Sequence, residues 1–418
     1  MNVCFDPNVC FRPSAQKLRR FEFGPVGPHL QSFAAFVSQQ GYCRLAGWVK
    51  VRLVATFSRW LSRRRIPLKE LTERHVTAFL SDRRKRRVGL HCGDRKTMAL
   101  LLHHLRGANL VAASPQASPA GQTDLMTADY EKFLVGERSL APSTAGRYVK
   151  AVRRFLSRSF PDGKIHLKML RTQNVTDFIV HDTSGHAGGT VQATASALRI
   201  FLRFQFQKGR IPTNLAAAVP SVPRRRGKLP WYLEAREVEK VLESCDRRRK
   251  MGRRDYAMLL LLARLGLRAG EVARLTLDEI DWRAGELLVR GKGARVDRLP
   301  LPHDVGQALA DYLQKGRPAC SSRCLFIKCK APLEGFTRRS SVGCVVHAAL
   351  KRAHLNPPHK GAHILRHSLA TGMLRNGASL GQIGQVLRHQ QPQTTEIYAK
   401  VDFNALRTLA LPWPEGAL

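Results

Sequence analysis

Residues 363–389 read HILRHSLATGMLRNGASLGQIGQVLRH, and TTEIYAKV follows at 394–401. Apolar residues recur at three and four, so HILRHSLATGMLRNG, SLGQIGQVLRHQ and TEIYAKV are all expected to be helical. His363 and Arg366 lie three apart and share a helix face, so both side chains can point at one phosphate. Tyr398 lies nine residues past His389, on what should be a separate short helix.

Working back toward the N-terminus, EAREVEKVLESC at 234–245 is a helix. DYAMLLLLARLGLRAGEVARLT at 255–276 is a buried helix, a turn and a second helix. Arg268 follows a glycine-bearing turn at a helix start, where backbone N–H groups also favour an anion. GELLVRGKGARVDRLPL at 285–301 alternates and contains Gly291 and Gly293, which predicts a β-hairpin with Lys292 at its turn. DVGQALADYLQKG and SVGCVVHAALKRAHL add two more helices, so this last domain is mostly α with a small sheet.

The chain has 418 residues, long enough for about three domains. Seventy Lys and Arg against thirty-one Asp and Glu leave a net charge of +39, far beyond what solubility requires. Nucleic acid is the first reading of that excess and an anionic membrane the second. The charge is spread out: +15 over residues 1–119, +11 over 120–229 and +13 over 230–418. A single basic tail is excluded. Hydrophobic content of 44% allows each third a core, which argues against a disordered chain. The longest apolar run, YAMLLLLA at 256–263, is far shorter than the roughly 20 residues of a membrane span, and Asp6 and Pro7 interrupt the start of any signal sequence. No membrane association and a cytoplasmic location are therefore expected. Nine scattered cysteines fit reduced thiols better than a disulfide framework.

Two upstream segments look alike. Phe36 matches Phe133; Val51, Val54 and Phe57 match Val149, Val152 and Phe155; Val76 and Phe79 match Val175 and Phe178. An approximate internal duplication explains this, and each copy has the period of helices with one face buried. In the second copy Ser143 is placed to cap a helix, and Arg147, Lys150 and Arg154 share its polar stripe. Val191–Lys208 is another amphipathic helix with Arg199 and Arg203 outside. Between this copy and the last domain, AAAVPSVPRRRGKLPWYL at 216–233 holds three prolines and the cations Arg224, Arg225 and Arg226. Prolines keep it extended, as a linker able to track a phosphate backbone. The Ala-, Ser- and Pro-rich stretch 112–123 is a comparable linker between the copies.

These features narrow the chemistry. There is no G-x-x-x-x-G-K-[ST] loop and no H-E-x-x-H, and Asp278, Glu279 and Asp281 are bunched in one turn rather than distributed for two metals. Cys320, Cys324 and Cys329 match no standard zinc spacing. No metal and no cofactor are expected. Splitting a phosphodiester without metal needs a nucleophile, cations for the non-bridging oxygens and an acid for the leaving oxygen. The chain can supply all three.

Taken in order, Arg268 in GLRAGEVARLTLDEIDW, Lys292 in RGKGARVDRLPL, the 363–389 stretch and TTEIYAKV resemble the signature of the tyrosine recombinases, the phage integrase family. The resemblance implies a mainly α chain, with helical SAM-like core-binding domains and an α+β catalytic domain carrying a small antiparallel sheet. It covers residues 234–402 as catalytic domain and 123–212 as core-binding domain. The expected boundaries are an extension at 1–27, an additional core-binding-like module at 28–110, the core-binding domain at 123–212, a basic linker at 213–233 and the catalytic domain at 234–418.

The resemblance also implies roles. Arg268 and Arg366 would hold the scissile phosphate and Lys292 would protonate the departing 5′ oxygen. His363 and His389 would hydrogen-bond the phosphate or assist proton transfer, and Tyr398 would attack to give a 3′-phosphotyrosyl intermediate. DNA contacts would come from Arg147, Lys150, Arg154, Arg199, Arg203, Arg224, Arg225 and Arg226. The partners would be double-stranded DNA and a homo- or hetero-tetramer of related recombinases. Arg388 stands where the family usually has Gly, which would add a DNA contact or alter the turn. The 28–110 module resembles the extra segment of longer, transposon-borne members. A catalytically silent DNA-binding protein of the same fold and a type IB topoisomerase are the alternative readings; the intact set of six catalytic residue types favours an active recombinase.

Overall fold

The computed structural model describes residues 11, 14–85, 93–112, 121–182, 184–185, 188–222, 230–291, 295–336 and 338–401. The chain divides into two compact units, one formed by residues 1–112 with 229–418 and the other by residues 113–228. Among the described residues no helix is long and apolar enough to cross a membrane.

The first unit begins with a helical module: α1 (Ala15–Leu18), α2 (Leu30–Gln39), α3 (Arg44–Arg63), α4 (Glu73–Lys85) and α5 (Asp94–Gly107). Val51, Val54, Phe57 and Leu61 recur at three and four along α3 and all are buried against Phe33, Phe79 and Leu101 in one core. Each such side chain contributes roughly 1.5–3 kcal/mol on leaving water. The same core takes in Phe11, Leu18 and Val26, upstream of residue 28.

The second unit repeats the plan with α6 (Gln122–Gly136), α7 (Pro142–Ser159), α8 (Thr172–Asp182) and α9 (Gly188–Gln207). A single 3₁₀ turn precedes the third main helix in both copies, at Leu68–Glu70 and at Leu167–Met169. The matched residues Val152, Phe155, Val175 and Phe178 are buried, with Phe133 and Val149 packed at the margin. Ser143 does not cap α7. Pro142 occupies the first turn, where its missing N–H costs nothing, and this moves the N-cap back to Ala141.

The remainder of the first unit comprises α10 (Ala235–Glu243), α11 (Lys250–Arg264) and α12 (Ala269–Arg274), a three-stranded sheet, then α13 (His303–Asp311), α14 (Arg339–Arg352), α15 (His363–Arg375) and α16 (Leu380–Val386). Ala257–Ala263 is buried without interruption, so the second half of α11 is apolar all round and forms the centre of this core. The predicted hairpin is present as β2 (Glu286–Arg290) paired antiparallel with β3 (Val296–Pro300), with Leu287 opposite Leu299 and Arg290 opposite Val296. A short β1 (Ile280–Asp281) adds a third antiparallel strand that the sequence reading took for a turn. The expected helix around Tyr398 is a 3₁₀ segment, Glu396–Val401.

Candidate active site and DNA-binding surface

Arg366 points into the protein from α15 and is only 3% exposed. Its Nη1 donates to the carbonyl of Gly266 and its Nη2 to that of Leu387, so two backbone oxygens fix the plane of the guanidinium. Gly266 has φ +59 and a Cβ there would come within 2.8 Å of Leu387 Cδ2, which accounts for glycine in this turn. Burial, and then the neighbouring Arg268, push the Arg366 pKa down to about 10. It remains a cation at neutral pH.

Arg268 is the N-cap residue of α12. Glu271, three residues on and 4% exposed, accepts from the Arg268 backbone N–H at 2.8 Å and from its Nη1 at 2.8 Å. The same carboxylate accepts from Arg388 Nη2 at 2.8 Å. Three donors satisfy an anion that would otherwise be costly to bury. Arg388 adopts φ 54, the left-handed region, so glycine is the residue with least strain there. Its side chain folds inward, with Nε 3.9 Å from Asp297 Oδ2 on β3. The side chain is 7% exposed, held inward by Glu271. Arg268, Gly291, Arg295, Arg388 and Thr394 line a recess of about 280 Å³.

After α16 the chain places His389, whose Nδ1 is 2.7 Å from Thr395 Oγ1. Burial, and secondarily Arg366 and Arg268, push its pKa down to about 4. Tyr398 is 1% exposed and sits in a small apolar cluster with Ala370, Ile383 and Leu387. Burial raises its phenol to about 12, against a lowering pull from Arg366. Its Oη is 2.9 Å from His367 Nδ1. His363, one turn before His367 on α15, has a lowered pKa from burial and from Arg366 and Arg268.

Five of the sequence-predicted residues, Arg268, His363, Arg366, His389 and Tyr398, thus meet in one site. Lys292, the sixth, lies outside the described residues, although Gly291 and Arg295 on either side of the hairpin turn line the recess beside Arg268. Three residues of the site were not assigned from sequence. Glu271 had a legible signal, being three residues past a helix N-cap, where a carboxylate reaches back. His367 stands inside the quoted HILRH, yet nothing local links it to a tyrosine 31 residues away. Thr395 is equally invisible without the fold.

In the second unit, Arg147, Lys150 and Arg154 do share a face. Together with Arg153 and Arg158 they line an open groove of about 1210 Å³ between α7 and α9. Arg154 pairs with Asp182 at 3.2 Å. Arg203 is exposed, whereas Arg199 donates to the carbonyls of Val219 and Pro220 at 3.2 and 2.8 Å, pinning the chain that follows α9. Arg224, Arg225 and Arg226 lie outside the described residues.

The model for the phage integrase family matches residues 232–405, and that for the phage integrase N-terminal SAM-like domain matches residues 128–209. The chain is 43% identical over 397 residues to a protein named as an integrase/recombinase, y4rA, of Sinorhizobium fredii, covering 94% of this chain and 96% of that one. It is 27% identical to tyrosine recombinase XerC of Bacillus subtilis over 66% of this chain and 92% of the relative. Among solved structures, XerH site-specific recombinase bound to its palindromic difH substrate matches with a TM-score of 0.53 at 22% identity, over 69% of this chain and 85% of that one. A lambda integrase dimer bound to a core site matches with a TM-score of 0.51 at 18% identity, over 66% and 94%. The chain therefore belongs to the phage integrase family of tyrosine recombinases and is a site-specific DNA recombinase.

Proposed function

We propose that this recombinase cleaves one DNA strand by attack of Tyr398 on the scissile phosphate, leaving a 3′-phosphotyrosyl link and a free 5′ hydroxyl. The observation that carries this reading is the convergence of Arg366, Arg268, His389 and the Tyr398 ring on the turns at Gly266 and Leu387. Two fixed guanidiniums, with Arg366 acting on the phenol, are suited to an anion whose charge grows in the transition state. His363 and His389, both held toward the neutral form, are available to hydrogen-bond phosphate oxygens. Lys292, expected from its sequence at the hairpin turn, is assigned the protonation of the 5′ oxygen. The covalent link conserves the phosphodiester energy, so religation to a second strand requires neither ATP nor metal.

The groove on α7 supports a grip on the duplex by Arg147, Lys150 and Arg154, with Arg203 and the linker arginines Arg224–Arg226 extending it. In domain terms, residues 123–212 and 234–418 each supply DNA-binding surface, 213–233 links them along the sequence, and 28–110 is an added module. Exchange between two sites requires four such protomers, from this chain alone or with related recombinases. The test is a nicked duplex built from the DNA flanking the coding region, on which cleavage traps the adduct. Wild type is expected to form a covalent protein–DNA species and Tyr398→Phe none, with DNA binding retained. Adducts persisting in Tyr398→Phe would remove Tyr398 as nucleophile.

A further inference from the structure

The reading of Tyr398 as nucleophile leaves its proton unassigned. The phenol is 1% exposed, so bulk water is excluded from it, and burial holds it in the protonated form at neutral pH. Attack on phosphorus must therefore pass the proton to a fixed group. Arg366 has no lone pair to offer. His389 spends Nδ1 on Thr395 Oγ1 at 2.7 Å, and the His363 ring is 6.1 Å from the ring of His367 rather than against Tyr398. Among the described residues, the hydrogen-bond partner of Tyr398 Oη is His367 Nδ1, at 2.9 Å. Successive residues on a helix are about 100° apart, so Arg366 can face the carbonyls of Gly266 and Leu387 while His367 faces the phenol.

We infer that His367 is a further catalytic residue, which takes the Tyr398 proton during cleavage and returns it during religation. This rests on the assignment of Tyr398 as nucleophile. In cleavage the Tyr398 Oη–P bond forms and the P–O5′ bond breaks. The phenolic proton moves to His367 Nδ1, giving an imidazolium, and the 5′ oxygen takes its proton from the acid assigned to Lys292. In religation the imidazolium protonates Oη as it departs, as microscopic reversibility requires. The groups that face His367 are His363 and Arg366 on its own helix, Tyr398 on the 3₁₀ segment and His389 after α16. Burial, then His363 and Arg366, keep the free imidazole neutral with a pKa pushed down to about 4, and with its proton on Nε2 the ring accepts the phenolic hydrogen at Nδ1. A bound phosphate brings negative charge against the Arg366 guanidinium. It thereby raises the basicity of His367 at the moment the forming O–P bond acidifies the phenol.

The experiment uses the full chain and the nicked duplex above, in single turnover at saturating protein. His367→Gln and His367→Ala are expected to cleave about 10²- to 10⁴-fold more slowly at pH 7. Duplex affinity should be unchanged within about twofold, because a phosphate grip does not involve this ring. The variant rates should climb with pH more steeply than that of wild type, as hydroxide replaces the base, and added imidazole should accelerate His367→Ala. If the Ala variant fails to fold, the Gln variant, which preserves a hydrogen-bonding group, carries the test. A Gln variant as fast as wild type overturns the proposal. So does a slow variant with the wild-type pH profile and no imidazole response, which would make His367 structural only. Failure of the underlying reading looks different: Tyr398→Phe would itself retain adducts.

Discussion

The arginines of α15 and its surroundings and those of α7 carry the same charge in opposite environments. Arg366 is 3% exposed with its guanidinium fixed by the carbonyls of Gly266 and Leu387, and Arg388 is buried against Glu271. Arg147, Lys150, Arg153, Arg154 and Arg158 stand exposed around an open groove. A fixed, desolvated cation is worth more to a transition state because the surrounding dielectric is low and no reorganisation is required. An exposed cation acts through counterion release, adds affinity and is screened by salt. The net charge of +39 is thus two different resources.

The first helical module sharpens the contrast. By the duplication, α3 positions Val49, Arg52, Ala55, Thr56 and Trp60 correspond to Arg147, Lys150, Arg153, Arg154 and Arg158 of α7. Only one of the five is basic. Lys50, the neighbouring cation, is turned into the module, where its Nζ donates to Thr97 Oγ1 at 3.1 Å and lies 4.4 Å from the Tyr42 ring centroid. Burial lowers its pKa, opposed by Asp94. Each copy has its own core built on the same plan, and the two differ in the face they present.

The contrast between buried and exposed cations can be broken by experiment. Arg366→Lys should reduce cleavage about 10²- to 10³-fold, the scale of losing a preorganised charge-stabilising donor, with duplex affinity little changed. A comparable loss of affinity would erase the distinction. The triple variant Arg147→Ala/Lys150→Ala/Arg154→Ala should do the reverse. It should weaken binding and flatten the logarithmic salt dependence by about 0.9 for each phosphate contact removed, while the cleavage rate at saturation stays near wild type. Arg388→Gly relieves a left-handed backbone by about 1–2 kcal/mol but strips a buried partner from Glu271, a loss on the scale of about 3–5 kcal/mol. Net destabilisation in a melting curve is expected, and a rise in Tm would mean that Arg268 alone satisfies the carboxylate. Acid should weaken the same region. His367 and His389 are held neutral down to about 4, whereas unfolded histidine takes up its proton near 6.5. The unfolded state therefore binds more protons through that window, and stability should be lost as pH falls from about 6.5 to about 4. A melting profile flat over that range would contradict the burial of these rings. The smallest effect should be that of Arg52→Ala, whose salt slope should change by no more than one contact, about 0.9.

Much of this architecture is written locally. The hairpin followed from alternation around Gly291 and Gly293, and the two modules followed from Val51, Val54 and Phe57 recurring as Val149, Val152 and Phe155, because a half-buried helix must repeat its apolar residues every three or four. Where local rules compete, the fold departs from the local signal. Ser143 is a good cap, yet Pro142 is a better first residue and displaced it. Arg199 was read as outward-facing, but the carbonyls of Val219 and Pro220, about twenty residues on, claim its guanidinium.

For the site, the residue types and their order were legible, and the contacts were not. That Arg268, Arg366, His363, His389 and Tyr398 would serve one chemistry is what the family resemblance implies from their order along the sequence. That Glu271 binds Arg268 and Arg388 together, that Arg388 turns inward and that His367 meets Tyr398 are decisions of the tertiary structure. The physical reason is range. Helical periodicity is enforced within a few residues, whereas a buried charge or phenol must find its partner among whatever groups packing brings within about 3 Å, 31 residues away for His367 and 117 for Arg388.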